Sequence, residues 1–181
     1  MPLVLELPHE FIARHCPNGD RPVWTDRFTR LLPDGAMMKW AGDPADCGGE
    51  GKVAGDSWRL IEPPSNDFDR LKLVKRYWQL SAERAEHDFA LMRDALLGNY
   101  RGNLPAVFNW PVDLYGGPPH GSGDRHVDEI RALKFLASIV KERRKRLAEV
   151  TAEIENLPEV RAEAERHESE RRIAEQAREY E

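Results

Sequence analysis

The sequence predicts a mainly α protein: a small α+β N-terminal part, a long antiparallel helical hairpin of coiled-coil character, and a charged C-terminal helical arm. Three observations carry this. Two stretches, Asn66–Leu97 and Asp124–Leu157, place apolar residues at steps of three and four, the spacing of one helix face. Residues 1–62 instead hold short apolar runs broken by Gly, Pro, Asn and Asp, which read as short strands and turns. Residues 158–181 are nearly all Glu, Arg and Ala, helix-forming but with little to bury.

In the first long helix the stripe runs through Leu71, Val74, Trp78, Ala82, Ala85, Phe89, Met92 and Leu96. Phe68, Leu73, Tyr77, Leu80, Leu91 and Ala95 widen it, as suits a helix covered by more than one neighbour. Pro63-Pro64 exclude an earlier start. Ser65, Asn66 or Asp67 can cap the first turn, and Gly98-Asn99 offers a left-handed stop. His87-Asp88 is expected on the polar, solvated side.

For the second helix Asp124 is the expected N-cap, with Asp128 and Glu129 near the positive end of the helix dipole. From Leu136 the apolar steps alternate four and three through Val140, Arg143, Leu147, Val150, Ile154 and Leu157. That is a heptad seam with Arg143 as its one charged member. A helix of this length spans roughly 50 Å and needs a long partner, which the first helix supplies. Asn156-Leu157-Pro158 then breaks the helix, and Asn156 can cap a new one.

Within residues 1–62, Leu3–Leu7 is a candidate strand, His9–His15 a short helix, and Asp26–Leu32 a second short helix stopped at Pro33-Asp34-Gly35. Ala36–Trp40 and Ser57–Ile61 are candidate strands that pair across the glycine-rich stretch between them. Trp24, Trp40 and Trp58 are expected to anchor this subdomain against the long helices.

A net charge of -5 over 181 residues gives no general attraction to nucleic acid. No apolar run approaches the roughly 18 residues of a membrane span, and the first residues lack the pattern of a signal peptide. Two cysteines, Cys16 and Cys47, make no disulfide framework, and reduced thiols in a cytoplasmic setting are the simplest reading.

Catalytic signatures are weak. Gly51-Lys52 resembles the middle of a phosphate loop, but Asp46 and Val53 stand where Gly and Ser or Thr belong. His9, His15, Cys16 and Cys47 lack the paired short spacing of zinc sites. His120, Asp124, His126 and Asp128 form a second possible metal group, but a helix start at Asp124 makes residues two apart diverge. No cofactor is expected, and neither cysteine is marked as activated.

The segment 99–123 is far longer than an ordinary helix–helix connection and carries aromatics between prolines and glycines. Its Tyr100, Arg101, Phe108, Trp110 and Tyr115 are the candidate partner-binding residues, because Trp, Tyr and Arg anchor interfaces. Arg143, Arg144 and Arg146 of the basic run Lys141–Arg146 complete the set. A nucleic-acid role for that run is weighed against simple pairing with Glu83, Glu86, Asp88 and nearby Glu residues. The functional expectation is a non-enzymatic protein-protein interaction protein: an assembly or adaptor subunit, or a small accessory or inhibitory protein, with self-association through the helices as the natural mode. The alternatives are a small zinc-dependent module at either His group and a nucleic-acid accessory protein.

Overall fold

The computed structural model describes residues 8–18, 20–42, 57–98 and 125–179. Leu3–Leu7, Asp124 and the whole aromatic segment 99–123 lie outside them, as do Cys47 and most of the glycine-rich stretch. The described residues are mostly helical, with one small sheet. In chain order they form α1 (Pro8–His15), β1 (Val23–Asp26), β2 (Thr29–Leu31), β3 (Met37–Trp40), β4 (Trp58–Ile61), α2 (Asp67–Leu96), α3 (Arg125–Glu155) and α4 (Pro158–Glu179).

The sheet is an antiparallel meander in the order β1-β2-β3-β4. Its register sorts the side chains by the two-residue period of a strand. Trp24, Arg30, Met38, Leu60, Trp40 and Trp58 share one face; Val23, Leu31, Met37 and Ile61 share the other. The first face packs under α1, where Phe11 and Cys16 meet Met38 and Trp58. The second packs on the start of α2 through Leu71, Val74, Tyr77 and Trp78. The sheet is thus a middle layer between one short helix and one long one.

The expected helix over Asp26–Leu32 is instead a β-hairpin, β1 turning into β2. The Asp26 carboxylate accepts the Phe28 N–H at 2.7 Å, a side-chain turn that competes with helix formation. That bond holds the Asp26 carboxyl below its usual range. The β-formers Val23, Trp24, Thr25 and Thr29 on either side favour strands. The tryptophans also differ from expectation. Trp24, Trp40 and Trp58 lie on the face turned away from the start of α2 and stack on one another, Trp40 and Trp58 at 5.1 Å between ring centroids. Arg30 reaches over both Trp24, at 3.9 Å, and Trp58, at 4.7 Å.

The paired strands β3 and β4 agree with the sequence reading, as does the Pro33-Asp34-Gly35 turn. Gly35 has φ +94, and a Cβ there would sit 3.2 Å from the Arg70 carbonyl oxygen. Left-handed backbone and a close approach to α2 both require glycine. The Asp34 carboxylate accepts the Ala36 N–H across the turn.

Helix α2 starts where Asn66 accepts the Asp69 N–H at 3.0 Å and ends before Gly98, at φ +75. Its early residues meet late α3 (Leu147, Val150, Ile154) and its late residues Met92 and Ala95 meet Ala132 and Leu136 of early α3. The two helices therefore pack together in opposite directions. Asp88, expected in solvent, is buried at 6% exposure, with Arg84 at 4.0 Å. Asn156 does not cap α4: its amide donates back to the Ala152 carbonyl at 2.8 Å. The Leu157 carbonyl instead accepts from Val160 and Arg161, and Pro158 fills a first-turn position that needs no N–H.

Candidate functional site

The charged break in the heptad seam is the junction of the molecule. Arg143, on α3, faces inward with 14% of its side chain exposed and pairs with Asp20, at 15%. Asp20 belongs to the segment between α1 and β1, 123 positions away. The guanidinium also lies 5.1 Å from the Trp78 ring of α2, a planar cation against an electron-rich face. Beside it the Tyr77 hydroxyl donates to the Arg21 carbonyl at 3.0 Å. Burial among these groups raises the Tyr77 phenol above its ordinary value, with the Asp20 charge adding to the effect. One ion pair and one hydrogen bond thus hold the N-terminal layer to both long helices.

Two clefts flank this junction, and both include Asn18, Asp20, Ile139 and Arg143 in their walls. The larger, about 660 Å³, is bordered by Asp34, Glu142, Glu149 and Glu153 against Arg146, so it is predominantly acidic. The smaller, about 350 Å³, brings Arg21 and Arg84 beside Trp24, Tyr77 and Ser81, so it is predominantly cationic. The Asp20–Arg143 pair divides regions of opposite sign.

His15 sits at the edge of the acidic cleft with 6% of its side chain exposed. Its Nδ1 hydrogen-bonds the Asp34 carboxylate. Its Nε2 lies 3.3 Å from Glu62 Oε2 but outside hydrogen-bond geometry, while Arg14 donates to the other Glu62 oxygen at 2.7 Å. The end of α1 is thereby clamped to the β2–β3 turn and the end of β4. Next to it the Cys16 thiol is pushed up to about 12, by burial first and then by the carboxylates of Asp20 and Asp34. Metal ligation and nucleophilic attack both require the thiolate, so this environment opposes both for Cys16. Among the described residues no group of three His, Cys, Asp or Glu side chains is placed to hold a metal. Cys47, His120 and Asp124 lie outside the described residues, as does the His126 side chain; Asp128 lies 3.8 Å from Arg131.

The basic run on α3 is largely paired. Arg144 donates to Glu86 of α2 at 2.6 Å, which raises its own basicity further. Arg146 reaches Glu142 at 3.0 Å and Glu149 at 3.3 Å, and Lys145 lies 3.6 Å from Glu149. Arg143 and Arg146 come together at the acidic cleft, while Arg144 bridges to α2. Tyr100, Arg101, Phe108, Trp110 and Tyr115 fall outside the described residues. Sequence reasoning missed Asp20, Arg21, Ser81 and Arg84. The one available signal was Arg143 itself, because a cation in an apolar seam demands a buried partner.

No helix among the described residues is long and apolar enough to cross a membrane. No protein-family model matches the chain, and no curated protein or solved structure matches it either.

Proposed function

We propose that this chain is a non-enzymatic protein-protein interaction protein, an assembly or adaptor subunit or a small accessory protein, whose contacts run along the paired helices and the C-terminal arm. Helix α4 is the observation that carries this reading. It extends 22 residues, roughly 33 Å, and none of its described side chains enters any of the three core clusters. Ile173 is 66% exposed on it. Its local support comes from i,i+4 pairs such as Glu168–Arg172 at 2.6 Å, each worth about 0.3–0.5 kcal/mol. A charged helix that stands clear of its own core suits a surface held ready for another chain.

The α2–α3 seam in its coiled-coil-like form, and the aromatic segment around Trp110, are the further contact surfaces of this reading. Pairing of Arg144 and Arg146 with neighbouring carboxylates disfavours nucleic acid as the partner. A cytoplasmic setting accords with the unpaired, buried Cys16.

Light scattering coupled to size exclusion, on the full chain and on a chain ending at Leu157, tests the reading. We expect the full chain to form an oligomer, or to capture a partner protein, in a way that the shortened chain does not. A full chain that stays monomeric and binds no protein, whether from a lysate or in crosslinking, refutes it.

A further inference from the structure

The cationic cleft has features the interaction reading does not use. Of its two guanidiniums, Arg21 is uncommitted and Arg84 is held only at the edge of ion-pair range by Asp88. Arg21 makes no side-chain hydrogen bond or ion pair among the described residues, and Arg84 has only Asp88, at 4.0 Å. Arg143 adds a third positive charge, offset by Asp20, the one carboxylate in the cleft wall. Ser81 also borders the cleft. It is 7% exposed, and its hydroxyl has no hydrogen-bond partner among the described residues. Pro22, Val23 and Ile139 add apolar wall, and Trp24 is 37% exposed beside them.

We propose that this cleft is a binding site for a small organic anion: a carboxylate or phosphate on a planar apolar body. The anionic group would be held by Arg21 and Arg84, whose forked N–H donors match its oxygens, with the Ser81 hydroxyl as a neutral donor. The planar body would lie along the exposed part of Trp24. A volume of about 350 Å³ falls at the lower end of small-molecule sites, which favours a one- or two-ring compound over a peptide. The neighbouring acidic cleft repels the same ligand, so the site is one-sided. The proposal is independent of α4 and of oligomeric state.

The test titrates the full-length chain with 2-naphthoate, reading the Trp24 indole N–H by NMR, with neutral 2-naphthamide as the comparison. Naphthoate is expected to saturate that signal, and the amide to bind at least about tenfold more weakly, since it lacks the charge that strengthens guanidinium hydrogen bonds. The double variant Arg21→Gln/Arg84→Gln alters two exposed side chains and keeps an amide donor beside Asp88, so it should fold, as circular dichroism would show, and it should weaken naphthoate by at least the same factor. Ser81→Ala gives a smaller loss, and Arg144→Gln, away from the cleft, none. Equal binding of acid and amide, unchanged binding by the folded double variant, or no saturable shift in the wild-type chain would each overturn the proposal.

Discussion

Arg143 shows how one residue can organise a molecule. In a heptad seam it reads as a flaw; in the structure it is the shared partner of Asp20 and Trp78. Because both charges are mostly withdrawn from water, removing one leaves the other buried and unpaired. Arg143→Met should therefore lose about 3 kcal/mol in urea unfolding, and adding Asp20→Asn should restore a large part of it. A loss under about 1 kcal/mol, typical of exposed pairs, would mean that the junction is solvated. The Cys16 thiol makes a second prediction. Folded, it is held near 12 against an ordinary value of 9.0, and Tyr77 is raised as well. Both groups keep their protons in the folded state where the unfolded chain loses them. Their contribution is thus complete below about pH 9 and declines as pH rises from there towards 12. In a Cys47→Ser background, Cys16 should resist iodoacetamide in the folded protein and react on unfolding. The alkaline fall in stability should flatten in Cys16→Ala. Rapid alkylation of the native protein near neutral pH would contradict this.

At the level of elements, the long helices were legible and the hairpin β1–β2 was not. The helix stripes repeat over many turns, so their period survives local exceptions such as Ile130, exposed at 40%. The segment Asp26–Leu32 is too short for any period to decide, and a side-chain bond from Asp26 to the Phe28 N–H chose the turn. Packing between α2 and α3 rests on residues like Leu136, fully buried beside Met92, Ala95 and Ala132. Leu136→Ala should cost about 3 kcal/mol, the middle of the range for a buried leucine without full collapse of the site. Urea unfolding followed by helical circular dichroism would show it as a lower midpoint with an unchanged slope. A change below about 1 kcal/mol would mean that the two helices meet loosely there.

Taken whole, the molecule has three layers and an appendage: α1, the sheet, the α2–α3 pair, and then α4. Core clusters join the layers to one another, but none includes a described side chain of α4. The chain ending at Leu157 should accordingly keep its unfolding temperature to within about 2 °C while losing helical signal in proportion to the residues removed. A large drop in temperature would show that the arm folds onto the body and is not held outward for a partner.

The sequence by itself determined the secondary structure wherever a pattern is long or a special residue is required. The 3.6-residue stripes of α2 and α3, a cap among residues 65–67, the left-handed glycines at 35 and 98, and the break at Pro158 all follow from local physics. Only the tertiary structure decided the candidate site. Arg21 and Arg84 line one cleft because one lies in the connection before β1 and the other on α2. Asp20 finds Arg143 across 123 positions. Such pairings depend on how the sheet docks on the helices, and a charge carries no mark in the sequence of which distant charge will neutralise it.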